Sequence, residues 1–446
     1  MDYNELASII DIKEANIKGN LCFDFFRTQR FEQDETKYKN MLYFLNYSTE
    51  EEEKNEWCNH FDLREYADKV INNVPNATFV IEKEQKPYLL KNTKYIVVDS
   101  IRKAIDQLHQ YKMSNNNAKV IGVTGSVGKT TCVGLIERLL EKKYKILRIY
   151  SSRITPLLLK GYLLNYLKND TEYIIMEYAI YAKNHVENLV NILSPDIAVV
   201  LNITNEHIGK LGLKTYKDIV EGKLKIFKKS KINFLPIELE SYSVCYDKIQ
   251  IFNTLDCVKK NGGYIYRGIT FKPFLETNLS LQQYVIAINI AFELGLRKDE
   301  IQDQIIKFVP VEHRFIRSEI NSKPITFLGE TVHNSRLATI ADDKAKNKTL
   351  ILRKIGAKST FTDVKLLINN IKKFGKVYVF DDIGDDYINA LKQLKNVELV
   401  KDHSFIERIN NEIVYVYSGY FHTFSELDYN NLINYDYTYK VKGIKI

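Results

Sequence analysis

Gly125, Gly128, Lys129 and Thr130 lie close together in the stretch Thr124-Gly125-Ser126-Val127-Gly128-Lys129-Thr130-Thr131. These residue types at this spacing suit one chemistry, the holding of a phosphate chain. The glycines let the backbone turn tightly and aim its N–H groups at an anion. A lysine ammonium at this position can reach the outer phosphates, and the adjacent threonine hydroxyl can bind Mg²⁺. The plainer reading is a glycine turn between a strand and a helix. The flanks favour the first reading. Val120, Ile121 and Val123 are β-branched residues ahead of the loop, and Cys132, Ile136, Leu139 and Leu140 fall on one helical face behind it. A helix N-terminus then adds partial positive charge at the loop. Val123 stands where the general G-x-x-x-x-G-K-[ST] pattern has glycine.

The elements that would position a partner set come next in the chain. Glu172 to Glu177 and Asp196 to Asn202 read as strands, and Lys145 to Tyr150 as another, with a helix from about Pro156 between them. Strands separated by helical segments imply a parallel sheet covered on both faces. Glu177 ends one strand, and Asn202-Ile203-Thr204-Asn205-Glu206-His207 follows another. Ligands of open α/β sheets bind beyond the carboxyl ends of the strands, so both segments are expected to converge on the loop. Glu177 offers a hard oxygen for Mg²⁺ and His207 a neutral nitrogen or a donor. Singly, each residue has an ordinary structural explanation; the joint placement favours function.

At 446 residues the chain is too long for one ordinary core and suits two or three domains. With 45% hydrophobic and 27% charged residues it has a globular composition, and no apolar run reaches membrane-spanning length. The net charge of +8 comes from lysines interspersed with Asp and Glu, without a basic block. That favours a general positive field suited to anionic small substrates over a nucleic-acid interface. Five scattered cysteines without metal-ligand spacing, and a start with no signal-peptide pattern, lead us to expect a reduced, cytoplasmic protein. We expect a monomer with no membrane or nucleic-acid partner.

The loop resembles the T-G-x-x-G-K-T-T loop of the Mur ligase family, ATP-dependent amide-bond ligases of cell-wall (peptidoglycan) synthesis and their relatives. Asp170 to Glu177 resembles the family strand that ends in a metal-binding glutamate. Ser194-Pro195-Asp196 through Asn202 to His207 resembles R-P-D-[IV]-A-V-[IV]-T-N-I-x-x-x-H. Gly222-Lys223-Leu224-Lys225-Ile226-Phe227 resembles A-K-x-E-I-F, whose lysine is carbamylated in the family and helps hold a second Mg²⁺. Local chemistry alone reads Lys223 as an exposed helix lysine. Pro310 to Phe315 resembles the junction P-x-x-G-R-[MLF], matching Arg314, and Phe327 to Ser335 resembles D-x-A-H-[NT]-P, with Glu330 in place of Asp and with His333 and Asn334 matching. The helix from Leu281 to Leu296 resembles the one that reaches the nucleotide base, with Gln283 as the candidate for its usual Asn.

The resemblance implies an α/β chain of three domains. These are a mixed α/β substrate domain (1–112), a central P-loop parallel-sheet domain (118–309) and a C-terminal Rossmann-like domain (310–446). It implies ATP and Mg²⁺ as cofactors, and small carboxylate and amine substrates joined through an acyl phosphate. Thr124, Gly125, Ser126, Gly128, Lys129, Thr130, Thr131, Asn202, Arg314, Glu330 and His333 would bind the nucleotide. Thr130, Glu177, His207 and Lys223 would hold metal, with Lys129, Lys223 and His207 as the catalytic set. Of the family's uridine motif only Arg27 remains; as a residue by itself it reads equally well as a surface arginine. Arg353 to Ala357 and Tyr417 to Gly419 depart from the family's amine-side loops. Three readings follow: a peptidoglycan-precursor ligase of the type that adds the terminal dipeptide, a divergent Mur-type ligase for another carboxylate such as a secondary metabolite or acidic polymer, and a nucleotide-binding scaffold without activity.

Overall fold

The computed structural model describes residues 1–17, 21–28, 40–48, 62, 70–72, 74–149, 154–204, 212–273, 276–309, 316–320, 323–327, 334–341, 348–352, 364–402, 404–410 and 413–416. The chain builds three sheets that each combine parallel strands with helices, and one small antiparallel sheet. The α/β expectation with three such units therefore holds.

The first sheet contains β1 (Ile12–Ala15), β2 (Phe25–Arg27), β3 (Met41–Phe44), β4 (Thr78–Ile81) and β5 (Lys94–Val98), in the order β1-β5-β4-β3-β2. Only β1 runs antiparallel to its neighbour. Every residue of β2, β3 and β4 is buried, the signature of strands covered on both faces. The helix Ile101–Ser114 follows, capped by the Ser100 hydroxyl, which accepts from the Lys103 N–H. Its Ile101, Ile105 and Leu108 enter the same core as Leu42, Phe44 and Val80. Arg27 is 3% exposed, so the reading of it as a surface arginine is overturned.

The second sheet holds β6 (Lys119–Thr124), β7 (Ile146–Ile149), β8 (Tyr173–Glu177), β9 (Ile197–Val200), β10 (Ile232–Pro236) and β11 (Ile249–Phe252), all parallel, in the order β11-β10-β9-β6-β8-β7. Alternate residues feed opposite cores, as the two-residue strand period requires. Ile121, Val123, Ile175 and Val199 meet the helices Lys129–Leu140 and Asn278–Glu293 on one face. Val120, Ile174, Met176 and Val200 meet the helices Pro156–Tyr166 and His185–Ile192 on the other. From β6 the chain runs outward to β7, and β9 to β11 then build on the opposite side. The crevice at a topological switch point therefore opens beside the carboxyl end of β6.

A three-stranded antiparallel sheet, β12 (Val258–Lys260), β13 (Gly263–Tyr266) and β14 (Ile269–Phe271), covers the helix Asn278–Glu293. That helix reads in sequence as a single stripe through Val285, Ile288, Phe292 and Leu296. Instead it buries Tyr284, Val285, Ile286, Ala287, Ile288 and Ile290 all round, because the P-loop helix lies on one side and this small sheet on the other.

The last sheet orders β15 (Ile316–Ile320), β16 (Lys323–Phe327), β17 (Thr349–Leu352), β18 (Lys376–Phe380), β19 (Val397–Val400) and β20 (Ile413–Val416) as β15-β16-β20-β17-β18-β19. All but the β15–β16 hairpin is parallel. In the helix Val364–Ile371, Leu367 and Ile371 reach the core as the periodicity predicts, whereas Val364 is left exposed at the first turn.

Candidate functional site

The loop after β6 joins a strand that must stay extended to a helix that starts at Lys129. Gly128 makes the change of direction with φ +90°, a conformation that side-chain-bearing residues rarely adopt. A Cβ on Gly128 would also overlap the carboxamide of Gln283, which the helix Asn278–Glu293 buries against the loop. Gly125 lies so near the end of β9 that its Cβ would stand 3.1 Å from Leu201 Cβ.

Asn202 fixes the rest of the loop. Its Oδ1 accepts from the Val127 N–H at 2.9 Å, and its Nδ2 donates to the Val127 carbonyl at 2.9 Å. The Asn202 carbonyl accepts from the Ser126 N–H at 2.9 Å, and the Ser126 hydroxyl accepts from the Thr204 N–H at 2.9 Å. Gln282 Oε1 accepts from Asn202 Nδ2 at 3.4 Å. Below the loop, the Thr124 hydroxyl donates to the Tyr178 carbonyl at 2.6 Å. Asn202, Ser126 and Thr124 thus hold the loop's shape through side-chain bonds, and its remaining N–H groups can face a ligand. Gln282 and Tyr178 are participants that the sequence did not reveal. Neither belongs to a recognisable motif, and only the packing of their elements brings them here.

Two lysines meet at one oxygen. Lys129 Nζ, from the first turn of the P-loop helix, donates to the Gly125 carbonyl at 2.8 Å and to the Ser126 carbonyl at 3.4 Å. Lys223 Nζ, from the helix Tyr216–Leu224, donates to the same Gly125 carbonyl at 2.8 Å. Lys223 is 1% exposed, among the most buried large side chains of the chain, which overturns its local reading as an exposed helix lysine. Gly222 suits this close approach, since a Cβ there would stand 2.6 Å from Ile180 Cδ1 and 3.3 Å from the Lys183 carbonyl oxygen. Two cationic side chains that share one acceptor in a buried setting gain from a polyanion beside them.

Glu177 ends β8 in register with Val123 of β6, buried, one strand over from the loop. Its charge reaches the P-loop helix: burial first, and Glu177 second, hold the Cys132 thiol well above the ordinary thiol range. Thr130 and Thr131 sit in the first turn of that helix, Thr130 half-buried and Thr131 buried. The structure therefore brings together Thr124, Gly125, Ser126, Gly128, Lys129, Thr130, Thr131, Glu177, Asn202 and Lys223. His207, Arg314, Glu330 and His333 lie outside the described residues. Among the described residues no three His, Cys, Asp or Glu side chains cluster as a metal site.

A parallel sheet with a glycine-bounded loop at its switch point, a lysine-led helix behind the loop and a strand-end carboxylate beside it define a P-loop α/β protein. Residues 123–254 match the family described as the Mur ligase middle domain. The chain is 33% identical over 175 residues to the UDP-N-acetylmuramoyl-tripeptide–D-alanyl-D-alanine ligase of Rickettsia prowazekii, covering 39% of this chain and 37% of that protein. It is 23% identical over 328 residues to the same-named ligase of Borreliella burgdorferi, covering 66% and 68%. The first match thus spans little more than a third of its relative's length, and the second about two thirds. In fold the chain is similar to the MurF ligase from Thermotoga maritima in complex with ADP, at TM-score 0.71 and 18% identity over 90% of this chain and 95% of that one. It is similar also to MurF from Acinetobacter baumannii, at TM-score 0.71 and 14% identity over 97% and 99%. Residues 123–254 thus match the Mur ligase middle domain, and the chain as a whole is similar to Mur ligases in sequence and in fold.

Proposed function

We propose that this chain is an ATP-dependent ligase that joins a carboxylate to an amine, acting on a peptidoglycan-precursor-like substrate. The observation that carries this reading is the convergence of Lys129 and Lys223 on the Gly125 carbonyl within a Mur ligase middle domain. A scaffold without chemistry gives no reason to bury Lys223 against the loop, where its desolvation costs stability. The ligase named for Thermotoga maritima carries ADP, which fits a nucleotide at this loop.

In the reaction a carboxylate oxygen of the substrate attacks the γ-phosphorus of ATP. The bond from that phosphorus to the β–γ bridging oxygen breaks, and ADP leaves. The amine nitrogen then attacks the carbonyl carbon of the acyl phosphate. Phosphate departs, and the nitrogen gives up its proton as the amide forms. Lys129 turns from the Gly125 carbonyl to the phosphoryl oxygens, where its charge offsets the one that builds up during transfer. The first N–H groups of its helix hold the phosphates.

Mg²⁺ would neutralise phosphate charge. Glu177 and the Thr130 hydroxyl are the hard oxygens suited to it. A free Lys223 ammonium would repel the ion, whereas its carbamate, formed from the neutral amine and CO₂ with loss of a proton, would offer two oxygens that share one negative charge. Lys223 in that form, with His207, completes the ligand set we assign. Arg314, Glu330 and His333 are assigned to the nucleotide on the C-terminal side.

One observation favours a second reading, a Mur-type ligase for a carboxylate other than a uridine-linked peptide. At the strand ends of the first sheet the Tyr47 hydroxyl donates to Glu82 Oε2 at 3.0 Å, and Arg102 donates to the Tyr47 carbonyl at 2.5 Å. These polar groups bond to each other. A screen of carboxylate and amine pairs for ATP-dependent phosphate release, with mass detection of the amide, tests both. A uridine-linked peptide as the active acceptor supports the first reading, another carboxylate the second, and no turnover with any pair would overturn both.

A further inference from the structure

The helix Pro156–Tyr166 follows β7 in the central sheet, yet it serves two cores. Leu158, Leu159, Tyr162 and Leu163 pack into the central core. Leu157 and Leu164 instead complete the core of the first sheet, with Leu6, Phe26 and Leu108. Among the described residues β2 is the outer strand of that sheet, and its outward backbone groups need partners. Asn165 supplies one. Its Oδ1 accepts from the Phe26 N–H at 2.7 Å, and its Nδ2 donates to the Phe26 carbonyl at 2.9 Å. A side-chain amide thereby reproduces the pair of bonds a neighbouring strand would exchange. The same Nδ2 donates to the Gly161 carbonyl at 2.8 Å, which fixes its rotamer.

Two residues on from Phe26, the buried Thr28 hydroxyl donates to the Leu157 carbonyl at 3.0 Å. Gly161 permits this approach: a Cβ there would overlap Thr28 Oγ1 and stand 3.3 Å from Thr28 Cβ. Lys160 pairs with Asp106 on the helix Ile101–Ser114. Edge bonds, a close glycine contact, a shared apolar core and an ion pair all join the same two units.

We propose that the helix Pro156–Tyr166 is a strut that locks the first sheet onto the nucleotide-binding sheet as one rigid body. Asn165 is its positioning residue and sets how far a carboxylate held on the first unit stands from the loop at Gly125 to Gly128. The second statement rests on the ligase reading; the first does not. With this distance fixed, closing of the site falls to the C-terminal unit.

The test uses the full chain. Cys22 and Cys245 are exposed, one on each unit, while Cys132 is buried. Spin labels on Cys22 and Cys245, in a Cys58→Ser, Cys257→Ser background, report the distance between the units. The strut predicts one narrow distance distribution, unchanged by Mg²⁺ and a non-hydrolysable ATP analogue. Asn165→Ala broadens it. Gly161→Ala shifts it by wedging against Thr28, and adding Thr28→Ala moves it back toward the parent. In turnover, Asn165→Ala raises KM for the carboxylate roughly tenfold, about the worth of a lost hydrogen-bonded pair, and leaves KM for ATP within about twofold. A broad parent distribution, one that narrows only with nucleotide, or one that both variants leave unchanged overturns the strut. Equal rises in both KM values overturn the positioning role. If no carboxylate is turned over, the ligase reading and with it the assignment of Asn165 fall, and the distance measurement still judges the strut.

Discussion

The first and second sheets share an architecture and spend their strand ends differently. In the first, Tyr47, Glu82, Gln85 and Arg102 bond to one another and to the backbone: Glu82 Oε1 also accepts from the Ile101 N–H at 3.0 Å, and Gln85 Nε2 donates to the Leu45 carbonyl at 2.8 Å. In the second, the strand-end segment carries glycines where side chains would fill space, and two lysines lean on one carbonyl. A polar cluster whose donors and acceptors match is a structural feature, because its members gain nothing further from a ligand. A pair of lysine ammonium groups drawn to one carbonyl beside a helix N-terminus is a setting that an anion favours. The difference is the reason we assign the proposed chemistry to the second sheet.

The largest effect that would sharpen this contrast belongs to Lys223. Lys223→Ala should lower amide-forming turnover by roughly 10²-fold or more, the usual loss for one group stabilising transition-state charge. Short-chain carboxylic acids should restore part of it by standing in for the carbamate. Full activity in the alanine variant would remove Lys223 from the site. Gly128→Ala comes next. It forces an L side chain into φ +90° and against Gln283, so nucleotide affinity should fall by about tenfold, for a strain of 1–2 kcal/mol. An unchanged affinity, measured by fluorescent-nucleotide displacement, would mean the loop has room that the structure denies it.

Acid pH tests the framework on which both sheets rest. Burial, helped by the Lys160 charge, lowers His109 to about 4, and burial lowers His185 to about 4, both from 6.5. The unfolded chain therefore takes up these protons first. The stabilisation is complete above pH 6.5 and is lost as pH falls toward 4, at roughly 3 kcal/mol for each imidazole. Thermal unfolding should show this acid limb, and His185→Gln should flatten it by about half. A limb of equal slope in that variant would assign it to carboxylates instead. The smallest effect is expected in the first sheet: Tyr47→Phe should cost about 1 kcal/mol of stability and leave kcat unchanged. A large loss of turnover there would erase the contrast between the two sheets.

Much of this was legible in the sequence, and the limits have a physical cause. The strand, loop and helix from Val120 to Leu140 form a local pattern, and each part reads correctly from its neighbours. Lys223 did not, because helical spacing cannot tell that Gly222 lets its helix approach Ile180 and carry the lysine inward. Arg27 and the helix Asn278–Glu293 misled for a related reason. Periodicity registers one packing partner, whereas β2 is covered by Asn165 and its helix, and Asn278–Glu293 by the later-formed sheet β12 to β14. The Mur-type loop motif carried the function further than composition could, since the charge of +8 and the scattered cysteines fit many proteins.

The central claim is that phosphate takes the place of the Gly125 carbonyl as the partner of Lys129. Calorimetric titration of Mg·ATP into the parent chain and into Lys129→Ala tests it most directly. The account predicts saturable one-to-one binding to the parent and a loss of roughly tenfold to 10²-fold in affinity for the variant, the worth of a charge-assisted bond to phosphate. Equal affinity for the two proteins would contradict it.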